Sequence, residues 1–403
     1  MFYVEKYKSK YKILLDFIYN ILASFISVGI LQLLLYPLLA RIFTSNEYGQ
    51  LLTIMGIINT ISSSLGSTLN NTRLIQNTRY LEENITGDFN IILLGTNIIG
   101  FIITIIIGIF FIEYNTVTVI LLSILVVLIS IKSYLAVGYR LKINYKLILL
   151  SNVITGIGYL VGIAVVYITA IWPLAFIIAE IFNIIFLLFT VKLQNEPYKK
   201  TKLFNQTLTK YTILIITGLL GNLLLYLDRL IIYPVMGGKY VTIYTVASVF
   251  GKSFGLVMTP IAGVLLSYFS QKNYNMSKVK FWKINFCVFV STILFLLASI
   301  IIAPWFTGVL YPTVIVETSK YIFIANLAAI ISVATSIIQP SILKFAPTYW
   351  QVVKEVIYGV IYIGLGVLLL RKDGLIGFCW AAIIANCIKL VFLCAIGMIE
   401  FKE

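Results

Sequence analysis

The sequence predicts an all-α integral membrane protein with about 12 transmembrane helices, and three observations support this prediction. Of the 403 residues, 60% are hydrophobic and only 11% are charged, whereas about a quarter of an ordinary soluble domain is charged. The mean hydropathy is +1.01. Long apolar runs alternate with short polar connections. Because a hydrocarbon core about 30 Å thick needs about 20 apolar residues per spanning helix, a chain of this length holds about a dozen spans.

The spans can be placed along the chain from these apolar runs. They are predicted near residues 13–40, 48–70, 89–111, 116–138, 147–168, 171–191, 211–234, 241–268, 284–304, 318–340, 350–370 and 374–398. The basic N-terminus continues into the first apolar run without a small-residue cleavage site, so we expect an uncleaved first span and no removable signal peptide.

In the first hairpin, YPLLARIFTSNEYGQLLTIMGI (36–57), two apolar runs are separated by nine residues, RIFTSNEYG, that include an arginine, a glutamate and several hydrogen-bonding side chains. Backbone groups that leave a helix need water, so this turn is predicted at the membrane interface. Pro37 lies near the end of the first span, and Ser45 and Asn46 are predicted to cap the second.

The distribution of basic residues predicts the orientation. With the N-terminus in the cytoplasm, most lysines and arginines fall in connections that face inward. The outward connections keep Arg41, Lys239, Lys320, Arg371 and Lys372. Basic residues concentrate on the cytoplasmic side of membrane proteins, so both termini are predicted to be cytoplasmic.

The longest inward connection, KLQNEPYKKTKLFNQTLTK (192–210), has six predicted spans on each side. It predicts an N-terminal lobe of residues 1–198 and a C-terminal lobe of residues 199–403. RIFTSNEYGQLLTIMGI (41–57) and YPVMGGKYVTIYTVASVF (233–250) both place a charged residue and a tyrosine between apolar helices, a weak internal echo. Two similar halves are common in secondary transporters.

The composition excludes several kinds of chemistry. The chain has no histidine, which excludes histidine metal sites, histidine general bases and Ser-His-Asp triads. The cysteines all lie in apolar runs and are predicted to be small buried hydrophobes rather than disulfide partners or metal ligands. The net charge of +15 resides mainly in short connections, which favours lipid headgroups over nucleic acid. No catalytic residue, metal or cofactor is predicted.

Ionisable residues inside spans are costly and indicate a pathway or a partner. The basic ones are Lys132, Arg229, Lys252 and Lys389. The acidic ones are Glu180 and Asp228, with Asp16 nearer the predicted cytoplasmic end.

Polar residues align with several of these charges. Tyr244 and Ser248 share a helical face with Lys252 on the eighth predicted span. Similar stripes hold Asn222, Tyr226 and Arg229 on the seventh, Asn20 and Asp16 on the first, and Asn59 on the second.

Each of these features has a structural alternative. Serine, threonine and asparagine also serve as helix-packing groups. Lys132 and Lys389 are near enough to the predicted interface to snorkel. Arg229 can pair with the adjacent Asp228, and Glu180 can be an ion-pair partner or a neutral acid. The functional interpretation is a water-filled, net cationic cavity between two helix bundles, suited to a phosphate or pyrophosphate headgroup.

The first hairpin resembles that of the Wzx-type polysaccharide flippases of the MOP exporter superfamily, which also contains the MATE drug exporters and the lipid II flippase. LDRLIIYPVMGGKYVTIYTVASVF (227–250) and GLIGFCWAAIIAN (374–386) resemble the family's seventh-to-eighth span segment and the start of its last helix. The similarity extends over nearly the whole chain. Thr242 stands where the family usually has a glycine.

The resemblance implies two six-helix lobes around a central V-shaped cavity in the cytoplasmic (inner) membrane of a bacterium. It implies a flippase, not an enzyme, which moves an undecaprenyl-diphosphate-linked oligosaccharide between leaflets by alternating access. The oligosaccharide is then an O-antigen or capsule repeat unit, as in lipopolysaccharide biosynthesis. The expected partners are this glycan, membrane lipids, a polysaccharide polymerase and a chain-length regulator.

The predicted site follows from these two lines of reasoning. Phosphates are expected to contact Lys252, Arg229, Lys132 and Lys389. The sugars are expected to contact Asn20, Asn59, Asn222, Tyr226, Tyr244 and Ser248. Glu180, Asp228 and Asp16 are the candidate proton carriers for ion coupling.

Two other functions remain as alternatives. A MATE-like drug or cation exporter predicts a cavity dominated by acids. A membrane polysaccharide polymerase or ligase predicts a large external loop bearing arginine or histidine, and the chain has neither histidine nor a long outward connection.

Overall fold

The computed structural model describes residues 18–19, 22–23, 25–111, 115–142, 144–269, 276–347 and 349–401, without the side chains of residues 264, 267 and 268. These residues form helices and connections, and no β-strand occurs among them. Asn20 and Asp16 lie outside the described residues. The protein is a multi-pass, all-helical membrane protein.

The helices are numbered in chain order. They are α1 (Phe25–Ile42), α2 (Ser45–Glu82), α3 (Asp88–Phe111), α4 (Thr116–Leu135), α5 (Val137–Leu141), α6 (Tyr145–Thr169), α7 (Pro173–Thr190), α8 (Phe204–Leu225), α9 (Leu227–Met236), α10 (Gly238–Ala247), α11 (Val249–Phe269), α12 (Lys278–Leu310), α13 (Ile315–Thr318), α14 (Ile322–Phe345) and α15 (Tyr349–Glu400).

Ten helices in the described part of the chain are long and apolar enough to cross a membrane, or eleven if α10 and α11, bent by 56°, count as one span. The sequence predicts about twelve. The difference lies in α15, which contains both predicted spans 350–370 and 374–398.

The long helix α15 reverses direction near Gly374, whose φ of 62° and ψ of −147° are not helical. A Cβ on Gly377 would lie 2.1 Å from the carbonyl oxygen of Leu369. In a straight helix, two residues eight positions apart are separated by about 12 Å along the axis. This contact therefore requires a turn between Leu369 and Gly377. Glycine adopts the positive φ at Gly374 without a Cβ clash. The arms 349–373 and 375–400 therefore account for the missing span.

Two other predicted spans are interrupted. The span predicted at 211–234 breaks at Tyr226, between α8 and α9, and the span predicted at 241–268 bends at Ser248. Hydropathy does not distinguish a broken helix from a straight one, because both halves remain apolar.

The cap of α2 differs from the predicted Ser45 and Asn46. Both the backbone N and the hydroxyl of Thr44 donate to the Glu47 carboxylate, at 2.9 and 2.8 Å, and the Glu47 backbone N donates to the Thr44 hydroxyl at 3.4 Å. Thr44 is therefore the N-cap, because its Glu partner three residues later completes a capping box. Pro37, which lacks an N–H, follows a π-helical turn at Ile30–Leu35.

The contacts divide the chain into two units. The first contains the described residues up to Ile42 and residues 54–226, and the second contains residues 43–53 and those from Leu227 onward. The hairpin segment 43–53 therefore packs with α9 and α10, where the hydroxyl of Thr242 donates to the carbonyl oxygen of Ser45. The lobe boundary predicted between residues 198 and 199 stays a prediction.

Small residues bring α6 and α7 together in the first unit. Ideal Cβ atoms on Gly158 and Gly162 would lie 2.6 Å from the Cα atoms of Ala179 and Ala175, respectively. Both pairs are four residues apart, so the two small faces meet along one turn of each helix, an arrangement common in membrane helix pairs.

The connection between α7 and α8 is attached to the first unit by buried polar groups. Arg73 forms a bidentate ion pair with Glu196. The Asp88 carboxylate accepts from the Thr201 backbone N at 2.7 Å and from the Tyr80 hydroxyl at 2.6 Å. This connection is therefore docked against the helices along much of its length.

All four cysteines are free. Cys379 is buried and Cys394 is half-buried, but Cys287 and Cys387 are exposed, contrary to the prediction of burial. An apolar run in a membrane protein exposes one face of its helix to lipid, so apolar neighbours do not establish that a side chain is buried.

Candidate functional site

The first unit contains a cavity of about 500 Å³ between α2, α4, α5, α6 and α7. Most of its lining residues have polar side chains. The polar groups include Ser67, Lys132, Tyr139, Arg140, Asn152 and Asn183.

Lys132 lies on the wall of this cavity and forms an ion pair with the buried Glu180. Its Nζ lies 2.7 Å from the Glu180 Oε1, and the side chains are 25% and 3% exposed. The Glu180 Oε2 is buried and accepts no hydrogen bond from the described residues. A buried carboxylate needs a counter-charge, and Lys132 supplies it without leaving the cavity wall. Of the predicted alternatives for Glu180, the structure shows an ion-pair partner.

Arg140 brings a second positive charge to the same cavity. Its Nη1 donates to the side-chain oxygens of Asn70 and Asn71, at 2.9 and 3.2 Å. Both acceptors are neutral, and no described carboxylate forms an ion pair with Arg140. The cavity wall therefore carries two cations, of which Lys132 is paired with Glu180. By sequence, Arg140 falls in an inward connection and is not a predicted site residue. Its position eight residues, or about two helical turns, after Lys132 is the signal that could have placed it near the same site.

Asn183 and Ser151 line the cavity and are both buried. The amide Nδ2 of Asn183 donates to the carbonyl oxygen of Ser151 at 2.9 Å and also to the hydroxyl of Thr155. The hydroxyl of Ser151 donates to the Asn183 Oδ1 at 3.1 Å. These bonds connect α6 to α7 and hold the polar wall in place.

In the second unit, Asp228 and Lys252 form an ion pair. The Lys252 Nζ lies 2.7 Å from the Asp228 Oδ2, and the side chains are 35% and 9% exposed. The Asp228 Oδ1 accepts from the backbone N of Arg229 at 2.8 Å, while the Arg229 Nη1 donates to the carbonyl oxygen of Leu52 at 2.9 Å. Lys252 thus keeps an accessible face, and the guanidinium of Arg229 contacts the hairpin segment.

Tyr244 and Ser248 lie beside this pair but are buried. The Lys252 Nζ is 5.4 Å from the centroid of the Tyr244 ring, within range of a cation–π contact. The Tyr244 ring packs edge-on against Phe378 at 5.1 Å. The Ser248 hydroxyl donates to the carbonyl oxygen of Thr245 at 3.2 Å. In this conformation both residues contribute to packing around Lys252.

Lys389 belongs to a third charged cluster, within α15. Its Nζ lies 3.6 Å from the Glu355 Oε2 and 4.2 Å from the centroid of the Tyr358 ring. The Nζ of Lys354, which is almost completely buried, lies 2.8 Å from the Glu355 Oε1. Glu355 therefore sits between two lysines. Glu355 is not among the predicted site residues, although an acid within the predicted span 350–370 indicates a partner or a pathway.

Carboxylates pair with lysines at three places in the described helices. Glu180 pairs with Lys132, Asp228 pairs with Lys252, and Glu355 lies between Lys354 and Lys389.

The remaining predicted residues are Asn222, Tyr226 and Asn59. The first two contact α2, and the third is only half-buried. The Asn222 Nδ2 donates to the hydroxyl of Ser64 at 3.1 Å and links α8 to α2. Tyr226 lies at the break after α8. A Cβ on Gly56 would lie 3.2 Å from the Cβ of Tyr226. Asn59 is half-buried on α2. Among the described residues, no three His, Cys, Asp or Glu side chains are grouped as a metal site requires.

Sequence and structure comparisons place the chain among known proteins. A family model described as "Polysaccharide biosynthesis protein" matches residues 38–314. No match to the chain occurs among curated protein sequences.

Several solved structures have a similar fold. The lipid II flippase MurJ in its inward closed conformation is 18% identical, with a TM-score of 0.65 over 94% of this chain and 85% of that chain. An outward-facing multidrug resistance MATE family transporter of the MOP superfamily is 11% identical, with a TM-score of 0.61 over 95% of each chain. The Vibrio cholerae MATE transporter VcmN in its bent form is 13% identical, with a TM-score of 0.59 over 98% of each chain. These identities establish a shared fold and nothing further.

Proposed function

Because the chain belongs to the polysaccharide biosynthesis protein family and has the MOP fold of MurJ and the MATE transporters, we propose that it flips lipid-linked oligosaccharides. The substrate is an undecaprenyl-diphosphate-linked repeat unit of an O-antigen or capsule. It moves from the inner to the outer leaflet of a bacterial cytoplasmic membrane by alternating access, with no covalent step. A polysaccharide polymerase and a chain-length regulator would act on the product.

The cavity of the first unit supports this proposal most directly. A diphosphate carries several negative charges, and arginine and lysine bind phosphate oxygens by charge-assisted hydrogen bonds. Lys132 and Arg140 offer such donors on one wall. Asn152 offers an amide, which suits a sugar hydroxyl. The volume of about 500 Å³ is within the range of small-molecule sites.

The carboxylates keep the cationic groups in place when no substrate is bound. Glu180 holds Lys132 and Asp228 holds Lys252, each at 2.7 Å. A diphosphate that binds to either lysine competes with the carboxylate, which would then be free to take up a proton. This exchange gives Glu180 and Asp228 a role in proton coupling, and Asp16 remains a third candidate carrier.

The test is delivery of surface polysaccharide in a strain that lacks its own repeat-unit flippase. We expect wild-type protein to restore the polysaccharide, and Arg140→Ala and Lys132→Ala to reduce delivery at least about tenfold at equal protein level. The reason is that a hydrogen bond to a charged group contributes about 1.5–3 kcal/mol, and about 1.4 kcal/mol corresponds to a factor of ten.

The matched control is Lys146→Ala, which removes an exposed positive charge next to the cavity residue Tyr145. It should deliver polysaccharide like the wild type. Conservative Arg140→Lys should retain part of the activity. Wild-type delivery by the double variant of Lys132 and Arg140, at wild-type protein level, would contradict the proposed site.

The MATE-like exporter remains the second candidate, because the fold is shared and the buried Glu180 has one oxygen without a described hydrogen-bond donor. An exporter should lower the accumulation of cationic dyes such as ethidium, and Glu180→Gln should abolish that effect. Dye export without polysaccharide delivery would favour the exporter. The polymerase or ligase alternative predicts longer glycan chains instead of transport of single repeat units.

A further inference from the structure

An apolar groove of about 470 Å³ lies on the second unit, between α12, α14 and the 375–400 arm of α15. It is lined mainly by Trp282, Phe286, Phe289, Ile338 and Leu390. A second hollow of about 770 Å³ follows the start of α12 and is lined by Lys278, Val279, Trp282, Lys283, Phe286 and Cys287. Trp282 and Phe286 line both hollows, so the two lie side by side along α12. We call the combined feature the α12 groove.

We propose that the α12 groove binds an anionic phospholipid, with one acyl chain in the apolar part and the phosphate on Lys278 and Lys283. This binding is independent of the transport function proposed above. The length, width and charge of the groove all fit such a lipid.

The length of the groove fits one leaflet. Its apolar part runs from Trp282 to Thr292 on α12, which is about 15 Å at 1.5 Å per residue. A hydrocarbon core is about 30 Å thick, so the groove has the depth of one leaflet. A phospholipid acyl chain extends through one leaflet, whereas an undecaprenyl chain is several times longer than the groove. By the basic-residue distribution, this is the cytoplasmic leaflet.

The width of the groove fits an alkyl chain. A volume of about 470 Å³ over about 15 Å gives a mean cross-section of about 30 Å², which is less than the cross-section of about 80 Å² of an α-helix with its side chains. The groove can therefore enclose an extended chain, whereas a helix would lie across its opening.

Two polar side chains in the lining are bonded within the protein. The Asn285 Nδ2 donates to the carbonyl oxygen of Phe281 at 2.9 Å, and its Oδ1 accepts from the thiol of Cys394 at 3.8 Å. The hydroxyl of Thr292 donates to the carbonyl oxygen of Val288 at 2.7 Å. The remaining lining is mainly apolar, which suits a hydrocarbon chain.

The charge at the mouth of the groove fits a phosphate. Lys278 and Lys283 form no ion pair with a carboxylate among the residues that the structure describes. Lys278 shares a helical face with Trp282, one turn away. Tryptophan is typical of the membrane interface, between headgroups and hydrocarbon. The order of lysine, tryptophan and phenylalanine along α12 therefore matches the order of phosphate, interface and acyl chain in a lipid.

Trp282 provides a direct measurement. The purified full-length protein is reconstituted in phosphatidylcholine bilayers that contain phosphatidylglycerol, with bromine on the acyl chains of one lipid or the other. Bromine quenches nearby tryptophans, and Trp282→Phe isolates the contribution of Trp282. We expect brominated phosphatidylglycerol to bind at this position at least about threefold more strongly than brominated phosphatidylcholine.

The double variant of Lys278→Ala and Lys283→Ala should lose this preference, while replacement of both lysines by arginine should keep it. Lys344→Ala is the matched control, because it removes an exposed lysine from α14 on the same predicted side, outside the groove. Size-exclusion chromatography confirms that each variant is folded.

Four results would overturn the proposal. Equal quenching by the two lipids, or a preference that survives in the double alanine variant, would show that the lysines do not select an anionic lipid. Displacement of brominated phosphatidylglycerol by an equal amount of undecaprenyl phosphate would assign the groove to the prenyl lipid. Displacement by millimolar inorganic phosphate would show a phosphate site that does not require the acyl chain.

Discussion

Gly49 and Gly238 pack backbone to backbone in the second unit. A Cβ on Gly49 would lie 1.8 Å from the carbonyl oxygen of Gly238, and one on Gly238 would lie 2.3 Å from the carbonyl oxygen of Asn46. The Asn46 side chain also accepts from the backbone N of Lys239 at 3.3 Å. The two segments that echo each other in the sequence, 41–57 and 233–250, are thus in direct contact.

Gly49→Ala should destabilise the protein by about 1–3 kcal/mol, the usual cost of overpacking. The added Cβ would meet backbone atoms, which cannot move away as a side chain can. The measurement is the apparent melting temperature of the detergent-solubilised protein. Gly95→Ala is the matched control, because a Cβ there meets nothing within 4 Å. Equal melting temperatures for the two variants would contradict the observed packing.

Gly162→Ala should separate α6 from α7. Its Cβ would lie 2.6 Å from both the Cα and the carbonyl oxygen of Ala175. The cavity that holds Lys132 has walls on both helices, so we expect lower stability together with reduced polysaccharide delivery. Gly221→Ala, where nothing lies within 4 Å, should leave both unchanged. Wild-type stability of Gly162→Ala would mean that the helices are not in close contact.

Lys132→Ala should cost about 1–3 kcal/mol of stability, because it leaves Glu180 buried without its counter-charge. Breaking a fully buried ion pair costs about 3–5 kcal/mol, and Lys132 is 25% exposed, which reduces the effect. The double variant Lys132→Ala with Glu180→Gln should recover most of the loss in a double-mutant cycle. Strict additivity of the two changes would show that the residues do not interact.

Lys252→Ala should sharply reduce delivery of lipid-linked glycan without loss of protein. Lys252 keeps an exposed face while paired with Asp228, so it can reach a phosphate. Lys239→Ala is the control, because it removes an exposed lysine that pairs with the exposed Glu317, and such surface pairs contribute little. Wild-type delivery by Lys252→Ala would exclude Lys252 from substrate binding.

Asp88→Asn should loosen the connection between α7 and α8. The carboxylate accepts from the backbone and hydroxyl of Thr201 and from Tyr80, and an amide cannot accept all of these bonds. We expect trypsin to cleave after the exposed Lys199 and Lys200 at least about threefold faster, because cleavage requires local opening. The exposed control Glu82→Gln should keep the wild-type rate. No change in Asp88→Asn would show that these bonds do not hold the connection.

Local sequence predicted much of the helical framework. Most helices lie close to their predicted spans because lipid requires about 20 apolar residues and internally bonded backbone for each crossing. The family resemblance is also confirmed by the match to residues 38–314. The capping box at Thr44 and Glu47 was readable from the sequence and was missed, because the cap was assigned one residue too late.

What the sequence determined by itself is which segments are helical, that they lie in a membrane, and that charged residues occur within them. Only the tertiary structure decided which charges meet. Lys132 pairs with Glu180 at a separation of 48 residues, and Arg140 shares the same cavity. Such pairings depend on the rotation and depth of each helix against its neighbours. Hydropathy is nearly insensitive to both, because a span remains apolar whichever way it turns.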